Sequence, residues 1–157
     1  MLKKVASKKQ RAVGHRFAIV ASRYNAVYVD AMLAAAQATL VAAGARTVTV
    51  VRVPGAYEIP VVAARLARAS KPKLSAVICL GVILRGATTH AQHIGEAVSQ
   101  ALAEIQVRHE VPIVHEVLLL ENETQARERC LDSEHNRGRE AAQTAVEMAR
   151  VMVELGV

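Results

Sequence analysis

Residues 76–90 read Ala-Val-Ile-Cys-Leu-Gly-Val-Ile-Leu-Arg-Gly-Ala-Thr-Thr-His. The run from Ala76 to Val82 is short, rich in β-branched residues and nearly free of polar side chains, which predicts a strand buried on both faces. It empties into Arg85-Gly86-Ala87-Thr88-Thr89, and a helical pattern begins at once. Ile94, Ala97, Val98, Ala101, Leu102 and Ile105 recur at intervals of three and four, with Gln92, Glu96, Gln100, Glu104 and Arg108 between them, so a helix is expected from about Thr89 to His109. The junction sets small residues, two hydroxyls, an arginine and a histidine where a strand's carboxyl end meets a helix's first turn. Unpaired N–H groups and the positive end of the helix dipole suit an anion such as phosphate at that place. Ligands of open α/β sheets bind along this edge, and His90 is the group nearby that titrates close to neutral pH.

The same strand-then-helix step recurs on either side. Upstream, Arg16 to Ala21 reads as a strand, Ser22-Arg23-Tyr24-Asn25 as its turn, and Ala26 to Ala43 as an Ala-rich helix closed by Gly44. That helix is apolar over more than one stripe, with Asp30, Gln37 and Thr39 its few polar positions, so it is expected to pack on the sheet on one side and on a neighbouring subunit on the other. Arg46 to Val53 is a second strand, broken by Pro54-Gly55-Ala56, and Tyr57 to Ala69 a helix that tolerates Pro60 in its first turn. Downstream come a strand over Val111 to Leu120, a short helix over Glu123 to Cys130 and a last helix over about Asn136 to Leu155. Four alternations predict a four-stranded parallel sheet with helices on both faces and right-handed crossovers.

Composition narrows the class. Apolar residues make up 52% of the 157 and aromatic residues only 3%, so the interior must be built from Ala, Val, Leu and Ile. A chain of this length supports one domain. No apolar run reaches the roughly 18–20 residues of a membrane span, and the basic start lacks a hydrophobic signal segment. Cys79 and Cys130 form no CxxC pair, so no disulfide and a reducing, cytoplasmic setting are expected. The net charge of +6 is local: Lys3, Lys4, Lys8, Lys9, Arg11 and Arg16 precede any acid, and the rest of the chain carries 14 basic and 14 acidic residues. Residues 1–15 therefore read as a basic flexible tail ahead of a single domain over 16–157, and nucleic acid is not expected as a partner.

Four strand ends point to one edge. They carry Arg23-Tyr24-Asn25, Gly55-Ala56-Tyr57-Glu58, the junction at 84–90, and His115-Glu116 with Arg129 and Arg137 downstream. At these residues the sequence resembles the 6,7-dimethyl-8-ribityllumazine synthase family of riboflavin biosynthesis. Three segments carry the match: Ser22 to Asn25, Val-Pro-Gly-Ala-Tyr-Glu-Ile-Pro at 53–60, and Gly-Val-Ile-Leu-Arg-Gly-Ala-Thr-Thr-His at 81–90. Weaker echoes are Glu-Asn-x-x-Gln-Ala-x-Glu-Arg at 121–129 and Asn-Arg-Gly-x-Glu-Ala-Ala at 136–142. All of them stand in order, from about residue 16 to the C-terminus.

The resemblance implies a three-layer αβα sandwich of the flavodoxin-like kind. It implies a condensation of 5-amino-6-(D-ribitylamino)uracil with 3,4-dihydroxy-2-butanone 4-phosphate, releasing phosphate and water, with no metal and no organic cofactor. It assigns proton transfer to His90. Substrate binding falls to Tyr24, Ala56, Tyr57, Glu58, Val82, Ile83, Leu84 and His115, with Tyr24 stacking on the pyrimidine. Phosphate binding falls to Ala87, Thr88 and Arg129, the last from the next subunit. A homo-oligomer built from pentamers, with active sites between adjacent subunits, follows from the same likeness. The chain departs from the family's usual Phe-Gly at His115-Glu116, and Leu118 to Leu120 is more apolar than the usual Thr-rich segment. Arg137 stands where Lys is commoner and is open between anion contact and surface charge. His15, His93, His109 and His135 show no partner pattern and read as structural or solvent-exposed, without metal-ligand spacing. A non-catalytic binder of lumazine or flavin is the competing reading. A phospho-receiver domain would need an acceptor Asp at a strand end, and none is present.

Overall fold

The computed structural model describes residues 11–156. Strands β1 (Arg16–Ser22), β2 (Thr47–Val53), β3 (Ala76–Leu84) and β4 (Ile113–Leu120) form one sheet in the order β2-β1-β3-β4. Every pairing is parallel, with Phe17 beside Val48 and Ala76, and Cys79 beside His115. The connecting helices are α1 (Ala26–Ala42), α2 (Ile59–Ala69), α3 (His90–His109), α4 (Glu123–Cys130) and α5 (Arg137–Glu154), and a single 3-10 turn at Ala56–Glu58 leads into α2.

The alternation of side chains along β1 and β3 divides the core in two. Phe17, Ile19, Ala21, Ile78, Leu80 and Val82 face α1, α4 and α5, whereas Ala18, Val20, Val77, Cys79 and Ile83 face α2 and α3. Both central strands are buried on both faces, as their unbroken apolar sequence requires. Each fully buried Ile, Leu or Phe contributes about 1.5–3 kcal/mol over an exposed one. On the first face the helices approach closely enough that a Cβ at Gly138 would lie 2.0 Å from the Met32 carbonyl oxygen. This contact between α5 and α1 therefore admits only glycine.

Element boundaries differ from the expected ones by small amounts. β3 runs two residues further than Val82, carrying its backbone to Leu84. The helix expected from Tyr57 begins instead as the 3-10 turn, with Pro60 in the first turn of α2. Gly44 closes α1 at φ +86°, the left-handed conformation that glycine adopts without steric cost. Much of the basic tail expected over residues 1–15, Lys3 to Lys9 included, lies outside the described residues. Residues 12–15 pack on the domain: Ala12 is fully buried, Val13 bridges to Ala45, and His15 Nδ1 lies 3.0 Å from Ser75 Oγ.

The outward side of α1 carries Val27 and Val41, 69% and 68% exposed, with Ala34 and Ala38 between them. This is the apolar second face that its sequence foreshadowed. Cys79 and Cys130 are free, and burial pushes their thiols up to about 12 and about 11. Among the described residues no helix is long and apolar enough to cross a membrane.

Candidate active site

A cavity of about 750 Å³ opens at the carboxyl ends of β1, β2 and β3, with the first two turns of α3 as its remaining wall. Its lining is Tyr24 and Asn25 from the turn after β1, Gly55 to Glu58 from the turn after β2, Val82 to Leu84 from β3, and His90, His93, Ile94 and Ala97 from α3. The volume suits a small organic molecule. Tyr24 and Tyr57 are two of only four aromatic side chains in the chain (three Tyr and one Phe). Both are largely exposed, at 66% and 63%.

The Tyr24 turn is tied on three sides. The N–H groups of Arg23 and Tyr24 donate to the Pro54 carbonyl, each at 3.0 Å, and the Arg23 N–H also reaches Val53 O at 2.8 Å. Asn25 adopts φ 57°, a left-handed conformation that Asn tolerates better than most residues. Its Nδ2 donates to the Val82 carbonyl at 2.7 Å, joining the β1 turn to β3. From β2, Arg52 donates to the carbonyls of Ala21 (3.2 Å) and Ser22 (2.9 Å) and pairs with Asp30 at 2.8 Å. That guanidinium fastens the end of β1 to the first turns of α1.

Gly55 lets Tyr24 and Glu58 share a small space. A Cβ there would stand 2.8 Å from the Tyr24 ring and 2.9 Å from Glu58 Oε2. The same Oε2 accepts the Gly55 N–H at 2.9 Å, so Oε1 keeps its acceptor capacity for a ligand. On α3, Thr89 is the N-cap residue but gives no side-chain cap. The His90 N–H makes only a long contact, 3.4 Å, to Thr88 Oγ1. Ala87 and Thr88 lie exposed in the turn just before this open helix end. The His90 ring has no hydrogen-bond partner among the described residues.

His115 and Arg129 are not brought to this cavity within one chain. His115 lies in a separate groove of about 650 Å³ with Arg85, Gln92, Gly95, Glu96, Ser99, Val117 and Leu119. Its Nδ1 accepts the Val117 N–H at 3.1 Å, and its Nε2 stands 2.7 Å from Ser99 Oγ. Ser99 in turn donates to Gly95 O at 2.8 Å. That chain of bonds assigns the ring proton to Nε2 and holds the imidazole neutral, and partial desolvation lowers its pKa below the ordinary value.

Beside it Glu116, only 8% exposed, receives the Arg137 guanidinium at 3.2 Å from Nε and 3.3 Å from Nη2. Arg137 Nη1 also donates to Glu140 at 2.9 Å. Burial pushes the Glu116 carboxyl up, against the opposing pull of Arg137. Arg137 is thus committed to two protein carboxylates. Arg129 is exposed on α4 and has no ion-pair partner among the described residues.

Sequence reasoning passed over His93, Ile94, Ala97, Asn25 and Gly55 as lining residues. The signal for His93 was its spacing, since residues three apart share a helix face. Ile94 and Ala97 had the period of a core stripe. Ala91, Val98 and Leu102 are buried in the core and Ile94 packs partly against it, while Ile94 and Ala97 also line the cavity, so one flank of the first turns of α3 serves both. Among the described residues no three His, Cys, Asp or Glu side chains cluster as a metal site would.

Comparison with known proteins bears on the same residues. The family profile described as 6,7-dimethyl-8-ribityllumazine synthase matches residues 14–153. A protein of that name from Kineococcus radiotolerans is 45% identical over 136 residues, 85% of this chain and 83% of the relative. One from Aquifex aeolicus is 43% identical over 149 residues, 94% of this chain and 96% of the relative. A third, from Desulfotalea psychrophila, is 41% identical over 144 residues, 90% and 92% of the two chains.

Proposed function

The chain belongs to the 6,7-dimethyl-8-ribityllumazine synthase family, and from that premise we propose how its residues divide the work of the family's reaction. The activity is that of a transferase of riboflavin biosynthesis. It condenses 5-amino-6-(D-ribitylamino)uracil with 3,4-dihydroxy-2-butanone 4-phosphate to 6,7-dimethyl-8-ribityllumazine, the penultimate step, with loss of phosphate and water. No net oxidation or reduction occurs, so proton transfer and positioning suffice and no cofactor is required.

The observation that carries the assignment is the single cavity shared by Tyr24, the 56–58 turn, the end of β3 and His90. Tyr24 offers a flat face for the pyrimidine. Backbone groups of Val82, Ile83 and Leu84, with Ala56 and Tyr57, read the ring edge, and Glu58 accepts from ribityl hydroxyls through its spare oxygen. Ala87 and Thr88, before the uncapped start of α3, receive the phosphate, helped by the helix dipole. His90 moves the protons of imine formation and phosphate loss.

Arg129 and His115 complete the site from a second copy of the chain. What supports this is that neither lines the cavity of its own chain, while Arg129 makes no ion pair among the described residues and α1 exposes an apolar face. Pentamers are the assembly in which each cavity meets the neighbour's β4 and α4. A reducing, cytoplasmic setting fits the two buried free thiols.

The test mixes both substrates with the protein and follows lumazine absorbance and phosphate release. Turnover above the spontaneous condensation is expected, falling roughly 10²-fold or more in His90→Ala with the affinity for a substrate analogue largely kept. A folded, oligomeric protein that binds the analogue but accelerates nothing would overturn the reading in favour of a ligand-binding role.

A further inference from the structure

The cavity holds two imidazoles, and the family's reaction has work for both. His93 follows His90 by three residues, so the two stand on one face of α3, and both line the cavity. His93 Nε2 lies 3.3 Å from Thr89 Oγ1. Its Nδ1 has no partner among the described residues. The titratable groups that share this cavity are His90 on the same helix, Tyr24 from the β1 turn, and Tyr57 and Glu58 from the β2 turn. Glu58 is the one carboxylate among them, and its Oε2 is already occupied by the Gly55 N–H. Among the described residues that line the cavity there is no lysine or arginine, and no carboxylate bonds to His93. It is free to exchange a proton with whatever fills the cavity.

The chemistry divides into two proton problems. In the first, a base removes the C–H proton next to the imine carbon. Its electron pair becomes the new C=C bond, and the C–O bond breaks with its pair on the departing phosphate. The enol so formed becomes the ketone as its methylene carbon takes that proton from the base and its hydroxyl gives one up, and the base is left neutral. In the second, the ribityl-bearing nitrogen has closed on the carbonyl carbon, and the hydroxyl so formed must leave as water, which requires an acid. One imidazole serving both steps must reset its proton between them, whereas two can be poised in opposite states.

We infer that His93 is the acid of the ring-closing dehydration, with His90 left to the phosphate-releasing step. The C–O bond breaks with its electron pair, the oxygen takes the His93 proton and departs as water, and the nitrogen lone pair forms the C=N bond. A pyrimidine N–H proton then restores the imidazolium, so the ring ends as it began. The Thr89 hydroxyl fixes one ring nitrogen and leaves the other for this exchange.

The inference rests on lumazine formation being this chain's reaction, and its test keeps the two apart. Single turnovers of the whole protein are followed in two channels, phosphate release and lumazine absorbance, for the unaltered chain, His93→Gln, His93→Phe and His90→Ala. Gln retains a hydrogen-bonding group for Thr89 and removes the titrating one. Both His93 variants should release phosphate within twofold of the unaltered rate yet form lumazine roughly 10-fold to 10²-fold more slowly, so that a lag opens between the channels. The His93-dependent phase should lose one ionisation from its pH profile. His90→Ala should slow both channels together. Equal slowing of the two channels in His93→Gln, or no slowing in either, overturns the role of His93. No phosphate release by the unaltered chain above the spontaneous rate overturns instead the reading on which it rests.

Discussion

The carboxyl ends of β1 to β3 and the interior of β4, where His115 and Glu116 lie beside Cys79 and Leu80 rather than at the strand end the sequence suggested, belong to one sheet, and their polar groups are left in opposite conditions. Around the cavity, and among the described residues, the His90 ring has no hydrogen-bond partner, His93 has one ring nitrogen without one, and Glu58 keeps one oxygen unused. On β4, His115 has both ring nitrogens engaged, Glu116 is held at two nitrogens of Arg137, and Arg137 is shared with Glu140. Spare hydrogen-bonding capacity marks where a ligand fits, because an exposed group without a protein partner exchanges water for substrate at little cost. Saturated groups hold structure, and His115, with both nitrogens engaged, is left only its ring face to offer a ligand. The contrast separates histidines by what surrounds them rather than by residue type.

The strongest way to break this comparison is at the saturated end. Arg137→Met leaves the buried Glu116 carboxylate without its partner and should cost about 3 kcal/mol, toward the lower end for a broken buried pair because the guanidinium is partly exposed. Urea unfolding at matched protein concentration measures it. The double change Glu116→Met with Arg137→Met should recover most of the loss, and a double variant as weak as the single would show that β4 depends on charge rather than on satisfied pairing.

At the open end Gly55→Ala tests crowding instead of pairing. The new methyl must displace the Tyr24 ring and Glu58 Oε2, which are side-chain atoms with room to move outward. Stability should fall by about 1 kcal/mol, at the mild end of overpacking. The KM for the pyrimidine should rise several-fold and the KM for the phosphate substrate much less, a split that steady-state kinetics resolves. Equal changes in both would detach Tyr24 from the proposed role of pyrimidine platform.

The smallest effect is electrostatic. The folded His115 pKa lies below its ordinary value, so as pH falls through about 6.5 the unfolded chain takes the proton first and stability is lost. Glu116 works the other way: its raised pKa means the folded state takes up its proton first on acidification, adding stability. His115→Asn should therefore remove only the loss between about pH 7 and 5, leaving the Glu116 contribution in place. Parallel pH–stability curves for the two proteins would show that His115 is not held neutral.

The αβα architecture was legible because its signals are local and repeat. The apolar run at 76–82 has no place except a doubly covered strand, and Gly44 and Pro60 punctuate their helices as backbone sterics demand. Motif order brings Tyr24, Glu58 and His90 forward, and the structure sets all three around one cavity. What escaped was set by where elements end relative to one another. Ile94 and Ala97 carry the period of core residues and also line the cavity, because it opens along the flank of α3's first turns. His93 looked like any surface histidine until the cavity wall included it. Arg137 was open between anion contact and surface charge, and the packing of α5 against β4 gives its guanidinium to Glu116 and Glu140.

By itself, then, the sequence determined the succession of strands and helices, the parallel sheet and the edge on which the cavity opens, since these follow from side-chain periodicity and backbone sterics within a few residues. Tertiary structure alone decided which polar groups are spent on the protein and which remain for a ligand. That depends on distances between residues far apart in the chain, such as Arg137 to Glu116 and Asn25 to Val82, and no local pattern encodes a distance of that kind.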